Sequence, residues 1–273
     1  MTLSNQVAIV TGGGRGIGRQ IALSLVEAGA RVAILARNAA ELEETAELAG
    51  DKRSHLLVAP ADINDAVAVG QVVKQVNEHF GPVSLLVNNA AVYTPGEPLF
   101  WEADLDAWWN DVHVNVLGTL TVTHAVLPTM VAQGRGSVIT VGSDSGVMAY
   151  PVTSYSFGKS SLVRFTETLD LSLEKSAPGV KAFMISPGSV RTRQTDAFAV
   201  KYPDMQWTPV EYSGRLVTDL ATGRYDELRG RYLTVFDDLD GLLGKLDEVR
   251  KEEVRVQRMR TYAPDGAIVT DWA

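Results

Sequence analysis

The chain has 273 residues, 45% of them apolar and 21% charged, the composition of a folded protein with room for one large domain or two small ones. Its net charge of −8, from 25 Lys and Arg against 33 Asp and Glu, argues against non-specific binding to nucleic acid or to an anionic membrane surface. Cysteine is absent, which excludes disulfides, thiolate zinc sites and a thiol nucleophile, and fits a reducing compartment.

Residues 1–6 carry no basic stretch leading into a long apolar one, and the apolar runs at 7–10 and 31–36 are far shorter than the ~20 residues a bilayer needs. The expectation is a cytoplasmic protein with no membrane partner. The run at 7–10 predicts a buried strand, followed by a glycine-rich turn and a helix over 17–28. Residues 32–35 repeat the strand signal, and 41–48 predict an Ala/Glu/Leu helix. Strand signals at 55–59, 83–87, 137–141 and 181–185 continue the series, with a helical stretch between each pair. Gly29, Gly81, Gly134 and Gly179 stand just beyond helical stretches, as C-terminal stops do. Strands apolar on both faces, alternating with helices, predict a parallel sheet covered on both sides. About seven strands in one rhythm predict an α/β, doubly wound Rossmann fold as a single domain over 1–236.

The rhythm changes after Pro187. Residues 191–207 lack a period but contain Phe198, Tyr202, Met205 and Trp207, which reads either as a surface loop with buried aromatic anchors or as a lid over a substrate pocket. A helix over 209–221 and a last strand over 231–235 follow. Residues 237–273 form a charged extension with a helix around 242–256, packed on the domain or at a subunit interface.

The turn Thr11-Gly12-Gly13-Gly14-Arg15-Gly16-Ile17-Gly18 lies between the first strand and the first helix. A strand feeding a helix through a tight turn aims free N–H groups and the positive end of the helix dipole at one spot. A pyrophosphate fits there when no side chain blocks it, hence glycine at Gly12, Gly16 and Gly18. An NAD-binding fold usually carries an acid at the end of the second strand for the ribose hydroxyls. Here that strand ends Ala36-Arg37-Asn38, without a carboxylate. Arg37, with Arg15 from the turn, can meet a 2′-phosphate through charge-assisted bonds of roughly 1.5–3 kcal/mol each. The expected cofactor is NADP(H) in preference to NAD(H).

Four further segments, together with the glycine turn, resemble the short-chain dehydrogenase/reductase family in its single-domain branch. They are Asn88-Asn89-Ala90-Ala91, Asn115 in Val114-Asn115-Val116, Ser143 twelve residues before Tyr155-Ser156-Phe157-Gly158-Lys159, and Pro187-Gly188-Ser189-Val190-Arg191-Thr192. Their order and spacing match over about residues 5–236. The resemblance implies an oxidoreductase acting on a carbonyl or secondary alcohol, with Asn115, Ser143, Tyr155 and Lys159 as its catalytic set. It further implies that Ile17, Asp62, Ile63, Asn89, Ala90, Pro187, Gly188, Val190 and Thr192 join the glycine turn in holding the cofactor. Lys159 would hold the nicotinamide ribose, and Asn115 a water relaying protons to solvent. Asp62 has an alternative as the N-cap of the next helix.

The chemistry explains the grouping. Hydride transfer to a ketone leaves an alkoxide that needs a proton, and a free tyrosine titrates near pH ~10. Lys159, one helical turn from Tyr155, is expected to lower that value by favouring the phenolate. Ser143, at the end of the fifth strand, can donate to the developing oxyanion. Ala91 and Gly142 depart mildly from the family pattern, Asp144 places an acid toward substrate or solvent, and the family's Asp-Gly-Gly ending of the last strand is missing.

Ser145, Val147, Tyr150 and Ser189 are candidates for the substrate side; they are small or apolar and predict a neutral, hydrophobic substrate. One or two of Trp101, Trp108 and Trp109 are expected to pack in the core, with a share in the interface of a homodimer or homotetramer. Two competing readings are a non-catalytic NADP(H)-binding regulator and a sugar-nucleotide epimerase or dehydratase of the family's longer branch. The intact Asn-Ser-Tyr-Lys set opposes the first. The spacing Gly12-x-x-x-Gly16-x-Gly18 and the modest length oppose the second.

Overall fold

The computed structural model describes residues 2–94, 99–262 and 268–270, with the side chains of Phe198 and of residues from 260 onward outside that set. Seven strands form one parallel sheet: β1 (Val7–Thr11), β2 (Arg31–Ala36), β3 (Leu56–Pro60), β4 (Leu85–Asn88), β5 (Gly136–Val141), β6 (Val180–Ser186) and β7 (Tyr232–Thr234). Their order is 3-2-1-4-5-6-7, the doubly wound arrangement expected from the alternation. The helices are α1 (Gly16–Glu27), α2 (Ala39–Leu48), α3 (Ala66–Phe80), α4 (Leu105–Val112), α5 (Gly118–Gln133), α6 (Thr153–Ser176), α7 (Asp196–Lys201) and α8 (Glu211–Ala221). Two short helices, α9 (Leu239–Gly244) and α10 (Leu246–Lys251), follow β7.

Successive strand residues point to opposite faces, and both faces are dry. Ala8, Val10, Ile34 and Ile139 meet Ile21 and Leu25 of α1 and Leu216 and Leu220 of α8. Val7, Ile9, Leu35 and Val138 meet Val69, Val73 and Val76 of α3 and Val122, Val126 and Met130 of α5. This two-sided burial is why the strands are aliphatic throughout and not alternating. β1 pairs with β2 on one side and β4 on the other, so the chain reverses direction across the sheet beside β1. The carboxyl ends of the strands on either side of that point face the cleft in which such folds bind ligands.

Between α4 and α5 the helix widens into one π turn, His113–Leu117. The stretch Leu105–Gln133 contains an 18-residue window with a mean hydropathy of 1.4, long and apolar enough by composition to cross a bilayer. Here its second half lies against the sheet through Val122, Val126 and Met130.

The extension departs from the single helix expected over 242–256. It breaks at Lys245, between α9 and α10, where Gly241 and Gly244 weaken helix formation. Tyr232 of β7 donates its N–H to Arg255 O at 2.9 Å, and the Arg255 guanidinium pairs with Asp237. Glu167 of α6, buried, accepts from Gln257 N at 2.6 Å and from Arg258 Nη1 at 3.1 Å. Residues 255–258 therefore lie along the outer edge of β7 and across α6. Trp101 and Trp109 are 77% and 57% exposed and not in the core, because they sit on the outer side of the α4 region.

Candidate active site

The glycine turn is shaped by backbone crowding. Gly12 and Gly16 have φ of +67° and +55°, which disfavour any side chain, and a Cβ on Gly18 would collide with Gly12 O. Asn89 and Ala90 donate their N–H groups to Thr11 Oγ1 at 2.9 and 3.0 Å, and Asn89 Nδ2 donates to Thr11 O at 2.9 Å. The loop after β4 is thus pinned to the end of β1. α2, α3 and α4 are each capped by a side chain, from Asn38, Asp65 and Asp104 respectively. α1 has neither a side-chain cap nor an acid in its first turn. Its positive end is left to meet an anion, and the residues present fit a dinucleotide pyrophosphate. Thr192 faces this turn, its Cγ2 lying 3.3 Å from where a Cβ on Gly16 would stand. Ile17 is half-buried beside the turn.

Beyond the ends of β2 and β3, Ile63 is buried over Gly118, where a Cβ would not fit. Asp62 accepts from Asn64 N at 2.9 Å in a local turn, so the alternative of Asp62 as a helix cap falls; Asp65 caps α3. The two arginines expected to meet a phosphate already have carboxylate partners. Arg15 lies 3.1 Å from Glu41 and Arg37 3.9 Å from Asp62. Arg193, from the 191–207 segment, reaches the same Glu41 oxygen at 3.1 Å. Opposite charges distant in sequence meet here, which a reading of local segments does not reveal. Exposed pairs of this kind contribute about 0–1 kcal/mol.

At the other end, Ser143 follows β5 and caps the short turn Asp144–Gly146, accepting from Ser145 N at 3.3 Å. Ser145 Oγ donates to Ser143 Oγ at 2.9 Å. Ser145 is buried, and its hydroxyl holds Ser143 in place. Tyr155 stands in the first turn of α6 and Lys159 one turn later. Lys159 is 3% exposed, and its Nζ donates to Val141 O at 2.8 Å, two residues before Ser143. Gly146 allows this approach, since a Cβ there would stand 3.0 Å from the Lys159 carbonyl. Three groups from β5 and α6 thus converge on one point of the sheet edge.

Burial sets the protonation of this cluster. The Tyr155 phenol is pushed up to about 12, chiefly by desolvation; a hydrogen bond with Ser143 opposes the shift and the Tyr93 phenol adds to it. Lys159 is pushed down to about 8 by the same desolvation. The expected lowering of the phenol by Lys159 is not what this arrangement produces. The ammonium is committed to Val141 O and lies 5.5 Å from the centre of the Tyr155 ring.

Asn115, 1% exposed, lies within the π turn and grips Val92 by its backbone: Oδ1 accepts from Val92 N at 2.8 Å and Nδ2 donates to Val92 O at 2.9 Å. Half of its amide bonding capacity is spent there, leaving one lone pair and one proton for a water. Pro187 and Val190 are buried, and Gly188 takes φ +68°. The Gly188 N–H donates to Ser186 Oγ at 3.3 Å, and Ser186 Oγ donates to Asp144 Oδ1 at 2.7 Å. Tyr232 OH donates to the same Asp144 oxygen at 2.9 Å. Asp144, half-buried, therefore ties together β5, β6 and β7 at the cleft.

Val147, Tyr150 and Ser189 are exposed near this end. The 191–207 segment forms a short turn, Arg193–Thr195, and α7, and returns to the sheet region through a bridge between Val190 and Thr208. Of the proposed aromatic anchors, Tyr202 is exposed and Trp207 half-buried, while the side chain of Phe198 lies outside the described residues. Two residues were missed. Tyr93 meets the Tyr155 ring edge-on with centroids 5.3 Å apart. Its place just past the carboxyl end of β4 was the available signal. Asp111, an acid within an apolar helix and four residues before Asn115, is buried beside the first turn of α6.

Comparison with known proteins identifies the family and its fold. The family model for short chain dehydrogenases matches residues 6–202. A short chain dehydrogenase of Pseudocercospora fijiensis is 36% identical over 191 residues, 70% of this chain and 61% of that relative, so the chain spans less than two thirds of its length. An uncharacterized oxidoreductase of Staphylococcus aureus is 35% identical over 198 residues, 72% of this chain and 83% of that one. Among solved structures, a short-chain type dehydrogenase/reductase from Mycobacterium marinum superposes with a TM-score of 0.77 at 26% identity, covering 85% of this chain and 94% of that one. A 3-oxoacyl-[acyl-carrier protein] reductase from Brucella melitensis, in complex with NAD, gives 0.75 at 29% identity, covering 84% and 95%. The chain belongs to the short-chain dehydrogenase/reductase family and is an NAD(P)-dependent oxidoreductase.

Proposed function

We propose that the protein reduces neutral, apolar ketones, or oxidises the matching secondary alcohols, with NADP(H) as hydride partner and Tyr155 as general acid and base. The observation that carries this reading is the convergence of Ser143, Tyr155 and Lys159, with Lys159 Nζ 2.8 Å from the carbonyl of Val141. When bound, the nicotinamide supplies or accepts the hydride. Tyr155, raised to about 12, holds its proton at neutral pH and can give it to the substrate oxygen. Ser143 donates a hydrogen bond to the same oxygen as charge develops there. Lys159, its ammonium 5.5 Å from the centre of the Tyr155 ring, holds the ribose, and the remaining amide valences of Asn115 hold a water on the return path of the proton.

The preference for NADP(H) rests on Arg15 and Arg37 and on Ala36 where an acid would serve NAD(H). A 2′-phosphate, with nearly two charges, competes with Glu41 and Asp62 for these arginines. A second reading, NAD(H), is favoured by those two carboxylates and by the NAD-bound structural neighbour. The apolar substrate is supported by Tyr93, Val147 and Tyr150. An exposed aromatic group of Phe100, Trp109 and Phe157 supports a homodimer or homotetramer.

The deciding experiment is turnover of a ketone panel, followed by NADPH absorbance, in wild type and Tyr155→Phe. The variant should lose at least about a thousandfold in kcat while its NADPH dissociation constant stays within twofold. Near-normal turnover in Tyr155→Phe would remove Tyr155 from the mechanism.

A further inference from the structure

We propose that Asp111 is a positioning residue: its buried carboxylate ties the segment after β4 to the first turn of α6, and so holds Tyr93 and Tyr155 against each other. For its effect on turnover, this inference rests on the function proposed for Tyr155.

Asp111 is 5% exposed, and its Oδ2 accepts from Thr94 Oγ1 at 2.9 Å and from Ser154 Oγ at 3.2 Å. An ionised carboxylate is costly to bury unless hydrogen bonds hold it, and bonds to a charged acceptor are stronger than neutral ones. The two donors are informative by position. Thr94 follows Tyr93, and Ser154 precedes Tyr155, so one carboxylate fixes the neighbours of both phenols. Those rings meet edge-on, 5.3 Å apart at an interplanar angle of 79°.

The same helical stripe makes the other contacts. Trp108 Nε1 donates to Thr153 Oγ1 at 2.8 Å, and Asn115 grips the backbone of Val92. Residues 108, 111 and 115 follow the i, i+3, i+7 spacing of one helix face. Four helical residues advance about 6 Å, which is roughly the reach of two residues of extended chain. Asp111 and Asn115 therefore grip Thr94 and Val92 in step, and Tyr93 is presented from between two fixed points. None of these contacts touches the glycine turn or the segment after β6. The effect of Asp111 should fall on the chemical and substrate end of the cleft and leave cofactor binding alone.

The test compares Asp111→Ala, Asp111→Asn and the pair Thr94→Val with Ser154→Ala. Asp111→Ala should lower kcat at least tenfold with the NADPH dissociation constant, measured without substrate, within twofold of wild type. Asp111→Asn keeps an oxygen that accepts both hydroxyl bonds and should restore the greater part of that loss. The Thr94/Ser154 pair should reproduce Asp111→Ala, and it decides the matter if Asp111→Ala does not fold. A second readout is independent of turnover. In ¹³C-tyrosine-labelled protein, the Tyr155 ring signal, assigned by its loss in Tyr155→Phe, carries the ring-current shift of Tyr93. That shift should shrink in Asp111→Ala and return in Asp111→Asn. An unchanged ring signal in Asp111→Ala, full kcat in the Thr94/Ser154 pair, or a parallel rise in the NADPH dissociation constant would each overturn the proposal. Turnover that survives Tyr155→Phe sinks the function proposed for Tyr155 instead, and the ring signal still decides the role of Asp111.

Discussion

At the β5–α6 end of the cleft the candidate catalytic side chains are buried or half-buried and fixed by hydrogen bonds, whereas at the β2–α2 end the candidate phosphate-binding side chains are exposed and held by ion pairs. Lys159 is 3% exposed with its ammonium on Val141 O, while the side chain of Arg37 is 71% exposed and 3.9 Å from Asp62. The difference matters because burial changes protonation and screening together. Desolvation moves Tyr155 and Lys159 away from their free values, whereas the exposed arginines' ion pairs are weakened by salt. Chemistry is therefore expected to be insensitive to salt and sensitive to pH. Cofactor choice should show the reverse.

The largest effect that would sharpen this contrast is at Ser143. Ser143→Ala removes a fixed donor at a site largely withdrawn from water and should cost about 10²–10³ in kcat, the usual loss for one oxyanion donor. The loss should be unchanged between low and high salt in stopped-flow assays; a loss of only a few-fold would mean that Ser143 merely caps its turn. Next comes Ala36→Asp combined with Arg37→Ala, which places an acid at the end of β2 and removes one cation. The ratio of kcat/KM for NADPH to that for NADH should fall by about 10–100-fold, matching one charge-assisted bond of roughly 1.5–3 kcal/mol. An unchanged ratio would defeat the phosphate argument.

A smaller effect tests the pH side. Lys159 titrates near 8 in the folded chain, so its ammonium is present below that pH and lost above it. Tyr155, near 12, stays protonated across the same range. The kcat for ketone reduction should be flat below about pH 7 and drop about tenfold by pH 9, following the single loss of the Lys159 proton. A profile that rises through pH 8 would assign the titration to another group.

Much of this was legible in the residues, for reasons that differ along the chain. The sheet could be read because each strand is aliphatic on both faces and each helix between strands has its own period. Tyr155 and Lys159 could be paired because four residues make one helical turn. Ser143 could be placed because a strand end fixes it. What escaped depends on contacts between distant segments: Glu41 on Arg15 and Arg193, Tyr232 on Asp144, and Thr94 on Asp111. The break at Lys245 escaped because glycine costs within a helix are small and the charged residues around it suit a helix as well as a loop. The direction of the Tyr155 shift escaped because desolvation is not visible in spacing.

The smallest expected effect bears most directly on the exposed end. Glu41 Oε1 stands 3.1 Å from both Arg15 Nη1 and Arg193 Nη1, one anion shared by a cation of the glycine turn and a cation of the 191–207 segment. Glu41→Gln should free Arg15 for a 2′-phosphate and lower the KM for NADPH two- to fivefold, the scale of an exposed ion pair at about 0.3–1 kcal/mol. The KM for NADH should not move, and the gain should vanish near 1 M salt, where screening acts within about 3 Å. If both KM values change together, Glu41 acts by tethering the 191–207 segment through Arg193. Arg193→Gln would then copy Glu41→Gln with either cofactor, whereas a phosphate role for Arg15 predicts that it copies neither the selectivity nor its salt dependence.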